Sequence, residues 1–405
     1  MHADQDLLPH LPKALVVSDM LPLYRHLSAD DQDSVRLLTV QDLVTIAGML
    51  DTAEVRQQLL GSIHSAFQDK SWRVRYMTAD HFDKLAEAVG AELVNEELVT
   101  AFVGLLRDPE AEVRTVAAGQ IPGLARMAPP QVIPERLIPV VRELAEDPSQ
   151  HVRGALAAQI SALAPLLGRD ATIECLLPLF LQLLKDEYPD VRLNIISRLE
   201  QVNQVIGIEL LSQSLLPAII ELAEDKQWRV RQAIIENIPL LAHQLGVQFF
   251  DEQLSNLCMS WLGDTVFSIR EAATVNLRKL TDVFGVEWAR QSILPKVLQM
   301  GTHPNYLYRM TTIFAVSTMA PALDAYTITS SVLPAVLPMA GDAIPNIRFN
   351  VAKAFGVLSR VLAPAPEGAR VVRESIIPAL QRLTEDRDAD VRYYAQRALE
   401  TATQA

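Results

Sequence analysis

Ten arginines stand in register along this 405-residue chain: Arg36, Arg75, Arg114, Arg153, Arg192, Arg231, Arg270, Arg309, Arg348 and Arg392. The first nine follow at intervals of 39 residues and the tenth comes 44 after the ninth. Six residues before each arginine lies an aspartate in nine of the ten cases, Asp30, Asp69, Asp108, Asp147, Asp186, Asp225, Asp264, Asp342 and Asp386; His303 is the exception. Guanidinium and carboxylate groups at a fixed spacing make charge-assisted, two-pronged hydrogen bonds. An arginine one turn into a helix has the length to reach the aspartate of a neighbouring turn. The pairs Asp69 and Arg75, Asp108 and Arg114, Asp147 and Arg153, Asp186 and Arg192, and Asp225 and Arg231 then form the repeated members of a structural ladder.

Chemistry of the catalytic kind is sparse. None of the eight histidines is followed by Glu, as a di-iron site on paired helices would need. No zinc-protease, paired-cysteine, phosphate-loop or nucleophile-elbow motif is present. His26, His64, His81, His151, His243 and His303 fall in different repeats without ligand spacing. The expectation is no catalytic residue, no metal and no cofactor. Cys175 and Cys258 are too few for a disulfide scaffold and read as small apolar side chains.

Three residues before the arginine, most repeats carry a small or polar residue, but four carry an aromatic: Trp72, Trp228, Phe267 and Tyr306. In two of them an arginine follows, as Trp72-Arg73 and Trp228-Arg229. A large aromatic beside arginine in an exposed turn is the composition of a protein-binding hot spot. The bland reading is a ring folded onto its own turn. Clustering of three aromatics in consecutive repeats, in one of which His303 replaces the aspartate, favours binding.

Positioning these turns is the task of the intervening segments. Each repeat reads as two apolar-striped helical stretches around a short polar turn, as in Leu215–Glu224, the turn Asp225–Trp228 and Val230–Leu241. Fourteen before the arginine stands a proline in seven repeats, Pro22, Pro139, Pro178, Pro217, Pro295, Pro334 and Pro378. It is expected near the start of the first helix, where a missing donor matters least, and would bend the helix if deeper. A single pair cannot bury its own apolar face, so the pairs must stack. Residues 1–19 read as a partial repeat or cap, and 20–405 as ten repeats. Pro364 to Gly368 supplies a loop insertion between the last two.

Net charge is −13, with 49% hydrophobic and 6% aromatic residues. A polyanion suits neither nucleic acid nor an anionic membrane surface. No apolar run reaches membrane-spanning length. A reducing, soluble, intracellular setting is expected: the cytoplasm first, the nucleus second.

Proline, then aspartate eight residues on, then Val-Arg ending six residues later, resembles the HEAT repeat, an all-α right-handed superhelix of helix pairs. Within that class, Asp69 to Met77, Val191 to Ser197, Leu211 to Asp225, Ile269 to Thr274, Pro304 to Thr312 and Ile347 to Lys353 are similar to the scaffold (A, 65-kDa type) subunit family of protein phosphatase 2A. The resemblance is to the last ten of that family's fifteen repeats. It implies that 211–405 faces the phosphatase 2A catalytic subunit, with Trp228, Arg229, Phe267, Tyr306, Arg309, Met310 and Arg348 in contact. It implies that 20–210 faces a B-type regulatory subunit, through Asp30, Asp31, Ser34, Trp72 and Arg73. About five front repeats have no counterpart here, which puts regulatory-subunit choice in question. The alternatives are another HEAT adaptor, of transport or coat type, gripping its partner along second-helix positions, and a truncated scaffold acting as a decoy.

Overall fold

The computed structural model describes residues 8–404, with side chains for all of them except 199, 208, 209, 211, 212, 215, 244 and 245. Residues 1–7 of the expected 1–19 cap lie outside this range. Among the described residues there are helices, turns and no strand. The chain divides into two compact bodies, Met1–Ala218 and Ile219–Ala405. Each is a stack of helix pairs, all-α as the repeat requires. No described helix is long and apolar enough to cross a membrane.

In the first body the core runs between stacked helices and is mostly Leu, Ile, Val and Ala. Phe82 and Phe102 add a pair of buried rings with centroids 4.2 Å apart. In the second body Phe250, Phe284 and Trp288 form a comparable cluster, and the Trp288 indole N–H donates to Asp251. Filling these spaces is what stabilises the stack, since each fully buried apolar side chain contributes about 1.5–3 kcal/mol.

Proline lies deeper in the first helix than its sequence position suggests. A five-residue turn of wider, π type precedes it, as in Ile133–Leu137 before Pro139, Thr172–Leu176 before Pro178, Ala289–Ile293 before Pro295 and Val372–Ile376 before Pro378. Proline lacks the N–H that an interior α-helical position would donate, and a wider turn absorbs the mismatch. The same turn occurs at Val94–Leu98 and Phe250–Leu254, whose repeats carry Thr100 and Asn256 instead. The wide turn therefore does not depend on proline, and Pro217 sits inside the helix Ile208–Ala223 without one.

Two local features close the repeats. Gly90, Gly168, Gly207, Gly246 and Gly285 have φ between 76° and 90°, the left-handed region that favours glycine. They end second helices and turn the chain into the next repeat. The expected loop at Pro364 to Gly368 is shorter than its sequence suggests: Pro366 already begins the helix Pro366–Val371. Gly368 is needed there because a Cβ would meet the Leu362 carbonyl oxygen at 2.2 Å.

Candidate functional site

The turns between paired helices are built alike, and the aspartate–arginine register explains how. Each aspartate Oδ1 accepts the backbone N–H two residues on, as Ser71 to Asp69 at 2.8 Å, Glu110 to Asp108 at 2.9 Å, and Gln227 to Asp225 at 2.7 Å. The arginine six residues later returns to the same turn and donates through Nη1 to the aspartate carbonyl. Arg75 does so to Asp69 at 2.7 Å, Arg153 to Asp147 at 2.7 Å and Arg231 to Asp225 at 2.6 Å. Arg192 reaches the Asp186 carbonyl in the same way.

Its remaining nitrogens then grip the next repeat's aspartate side chain. The rungs Arg36–Asp69, Arg75–Asp108, Arg114–Asp147, Arg153–Asp186, Arg231–Asp264, Arg309–Asp342 and Arg348–Asp386 are 2.6–3.0 Å long. Asp386 is held below the usual carboxylate range chiefly by the Arg348 hydrogen bond, against desolvation. Burial pushes Asp69 and Asp342 up, but the arginine and backbone N–H bonds outweigh it and both end below their ordinary values. A depressed folded-state pKa stabilises the fold above the unfolded value of about 3.9, and that stability is lost as pH falls through the folded value. The melting temperature is expected to hold nearly level from pH 7 to about pH 5 and to fall steeply below about pH 4. Thermal melts across that range check it.

One rung is missing. Thirty-three residues beyond Arg270, where the arginines of the rungs from Arg36 to Arg309 find an aspartate, stands His303. Its Nδ1 accepts the Asn305 backbone N–H at 3.0 Å, so it keeps the aspartate's local duty. It offers no carboxylate, and among the described residues Arg270 makes no ion pair. Its guanidinium sits 5.7 Å from the Phe267 ring centroid instead. An aromatic contact fills the junction: Tyr308 stacks on His303 with centroids 4.2 Å apart. A Cβ on Gly263 would meet Tyr308 at 2.8 Å, so the tyrosine lies directly over that glycine. Replacing His303 with Asp is expected to restore the rung and add about 1 kcal/mol, read as a higher melting temperature.

Along these turns lie the aromatics. In the second body, Phe267 is 53% exposed and Tyr306 41% exposed. Trp228 is half-buried, and the guanidinium of the exposed Arg229 lies 4.7 Å from its ring centroid. In the first body, Trp72 is exposed, touched by Arg73 at 5.8 Å and by the edge of Tyr76. Asp31 and Ser34 are exposed in the preceding turn, while Asp30 accepts the Gln32 N–H. Asp31, Asp33, Ser34, Lys70 and Ser71 line a shallow cleft there.

Three residues that the resemblance assigns to catalytic-subunit contact are otherwise engaged. Arg309 and Arg348 are rungs of the ladder, and Arg348 is only 6% exposed. Met310 is 8% exposed, with the Asn350 amide against its sulfur. Their side chains hold repeats together, leaving Trp228, Arg229, Phe267 and Tyr306 as the groups presented to solvent. Cys258 is buried, which pushes its thiol up to about 12, and Cys175 is half-buried. Among the described residues no group of three His, Cys, Asp or Glu is placed to hold a metal ion.

Comparison with known proteins agrees with this construction. Residues 91–168 match the family described as PPP2R1A-like HEAT repeat, 169–339 the PIK3R4-like middle domain, and 332–362 the HEAT repeat. The repeats are HEAT repeats. The chain is 61% identical over 75 residues to the regulatory A subunit of protein phosphatase PP2A from Schizosaccharomyces pombe, covering 18% of this chain and 13% of that one. It is 44% identical over 116 residues to the Saccharomyces cerevisiae protein of the same name, covering 28% and 18%. The matches therefore span less than a fifth of either relative. Among solved structures, the karyopherin Kap121p bound to Nup53p superposes with TM-score 0.75 at 17% identity, over 96% of this chain and 41% of that one. At that identity the likeness is one of fold.

Proposed function

We propose that the chain is a non-catalytic scaffold that binds the catalytic subunit of protein phosphatase 2A through the intra-repeat turns of its second body. The observation that carries this reading is the row Trp228, Arg229, Phe267 and Tyr306. These are rigid aromatic anchors and an exposed cation resting on one of them, set out on the turns between paired helices. Segment similarity to the regulatory A subunits of PP2A supports the choice of that phosphatase as the partner.

The ladder makes the turns suited to this work. Arg231 and Arg309 tie their own turns to the next, so little conformational freedom is lost there when a partner settles on the row. Trp228 and Tyr306 would bury against the phosphatase, while Arg229 would supply a directed polar contact. On the first body, Trp72 and Arg73, with Asp31 and Ser34 one turn earlier, would meet a B-type regulatory subunit. Holding both partners on one chain raises the effective concentration of each near the other.

Calorimetric titration of the purified chain with phosphatase 2A catalytic subunit tests the reading. Saturable one-to-one binding supports it, and no heat or shift in elution at micromolar concentrations overturns it.

A further inference from the structure

Second helices of the last repeats carry a different row, about two turns deeper than the anchors. These helices are α1 (Trp228–Leu245), α2 (Phe267–Phe284), α3 (Tyr306–Met319), α4 (Pro345–Leu362) and α5 (Ala389–Gln404). Consecutive members pack on one another. Five residues after each register arginine stand Glu236, Val275, Phe314, Lys353 and Arg397. All five side chains face solvent, Val275 at 40% and Phe314 at 37% exposure.

Their order is not random in charge. Glu236 and Glu271 line a cleft of about 380 Å3 between α1 and α2, with Gln232 and Lys279 beside them. Apolar side chains follow: Val275, then Phe314 with its ring edge-on to Phe267 at 6.3 Å. The far end is cationic and aromatic. Lys353 Nζ sits 3.9 Å from the Tyr394 ring centroid and 4.8 Å from that of Phe349, and the two rings stack at 5.3 Å. Arg397 donates to the Tyr393 hydroxyl at 3.2 Å.

Among the described residues neither Lys353 nor Arg397 makes an ion pair, in a chain whose net charge is −13. Cations resting on ring faces rather than carboxylates keep their charge available to an incoming anion. Asp390 and Glu400, also on α5, are the acidic groups nearest Arg397 in sequence, and Asp342 and Glu367 those nearest Lys353.

We infer that this face is a docking surface for an extended segment of a partner protein, acidic at one end and apolar through its middle. The acidic end would sit at Lys353 and Arg397, the apolar side chains on Phe314 and Val275, and a basic residue in the Glu236–Glu271 cleft. Four helix-to-helix steps of ~10 Å and a rise of ~3.3 Å per extended residue set the segment at about twelve residues. The surface touches the turn row only where Phe314 meets Phe267, and its charged ends lie on other residues, so it goes beyond the scaffold reading and does not need it.

Fluorescence anisotropy tests it with a labelled twelve-residue peptide: three glutamates at one end, alternating leucine and phenylalanine in the centre, two lysines at the other. The controls are its charge-reversed counterpart and a version with serine in place of the apolar residues. The whole chain is expected to bind the first at least tenfold more tightly than either control. Lys353→Glu with Arg397→Glu should abolish that preference, and Phe314→Ala should weaken binding several-fold. All three substituted residues are solvent-facing, and phosphatase catalytic-subunit binding should survive the charge reversals. Equal affinity for the three peptides, no binding, or an unchanged preference in the charge-reversed variant would overturn the inference.

Discussion

Trp228→Ala combined with Tyr306→Ala is expected to weaken binding of the phosphatase 2A catalytic subunit by two orders of magnitude or more, about 3 kcal/mol. Large rings carry binding energy when a partner seals them from water, and alanine removes the area while leaving the turn intact. Neither ring is part of the ladder, so the double variant should melt within a degree or two of the parent. Arg229→Ala should cost less, since its guanidinium already rests on Trp228 and gains only the new polar contact. A matched control is Trp72→Ala on the first body, which should leave catalytic-subunit affinity unchanged. Isothermal titration of the four proteins side by side separates these effects. Equal affinities throughout would move the binding site off the turns.

Asp147→Ala should be the most damaging change to the fold, destabilising it by about 3–5 kcal/mol. The carboxylate serves three groups: it accepts Arg114 Nε and Nη2 at 2.7 and 3.0 Å, and the Ser149 N–H at 2.9 Å. Removing it leaves a largely buried guanidinium without its counter-charge and a turn without its local bond. Repeats touch only their neighbours, so the loss should fray the stack locally before it unfolds the body. Replacing both partners, Arg114→Met with Asp147→Leu, should recover much of the stability, because the buried charge goes with its mate. Chemical denaturation followed by circular dichroism gives both values. A single variant as stable as the parent would show that the rungs do not hold the repeats together.

Much of this architecture is legible in the sequence because its period is exposed there. The 39-residue spacing of arginine and aspartate identifies the helix pair and the turn between its helices, and puts a neighbouring turn's aspartate within an arginine's reach. The second duty of the arginine, closing its own turn through the aspartate carbonyl, leaves no mark in residue type, since any residue has a carbonyl. Glycines at 168, 207, 246 and 285 repeat with the same period and are a readable sign of the left-handed turn into each next repeat. Proline position misleads because the wide turn before it makes an interior site tolerable.

The site divides in the same way. Exposed aromatics in the turns follow from residue type and turn position together. Burial of Met310 and Arg348 does not, because a rung and a partner contact call for the same chemistry and only packing tells them apart. Substitution of His303 for aspartate is visible in the sequence. Its consequence, Tyr308 lying over Gly263, depends on a glycine in the previous repeat, 45 residues away.

Hydrogen–deuterium exchange of the free chain and of its complex with the phosphatase catalytic subunit tests the central claim most directly. The scaffold reading predicts protection concentrated in the turns around Trp228, Phe267 and Tyr306, with the inner-helix row at Val275, Phe314 and Lys353 exchanging as before. Protection confined to that inner row, or absent from both, would contradict it.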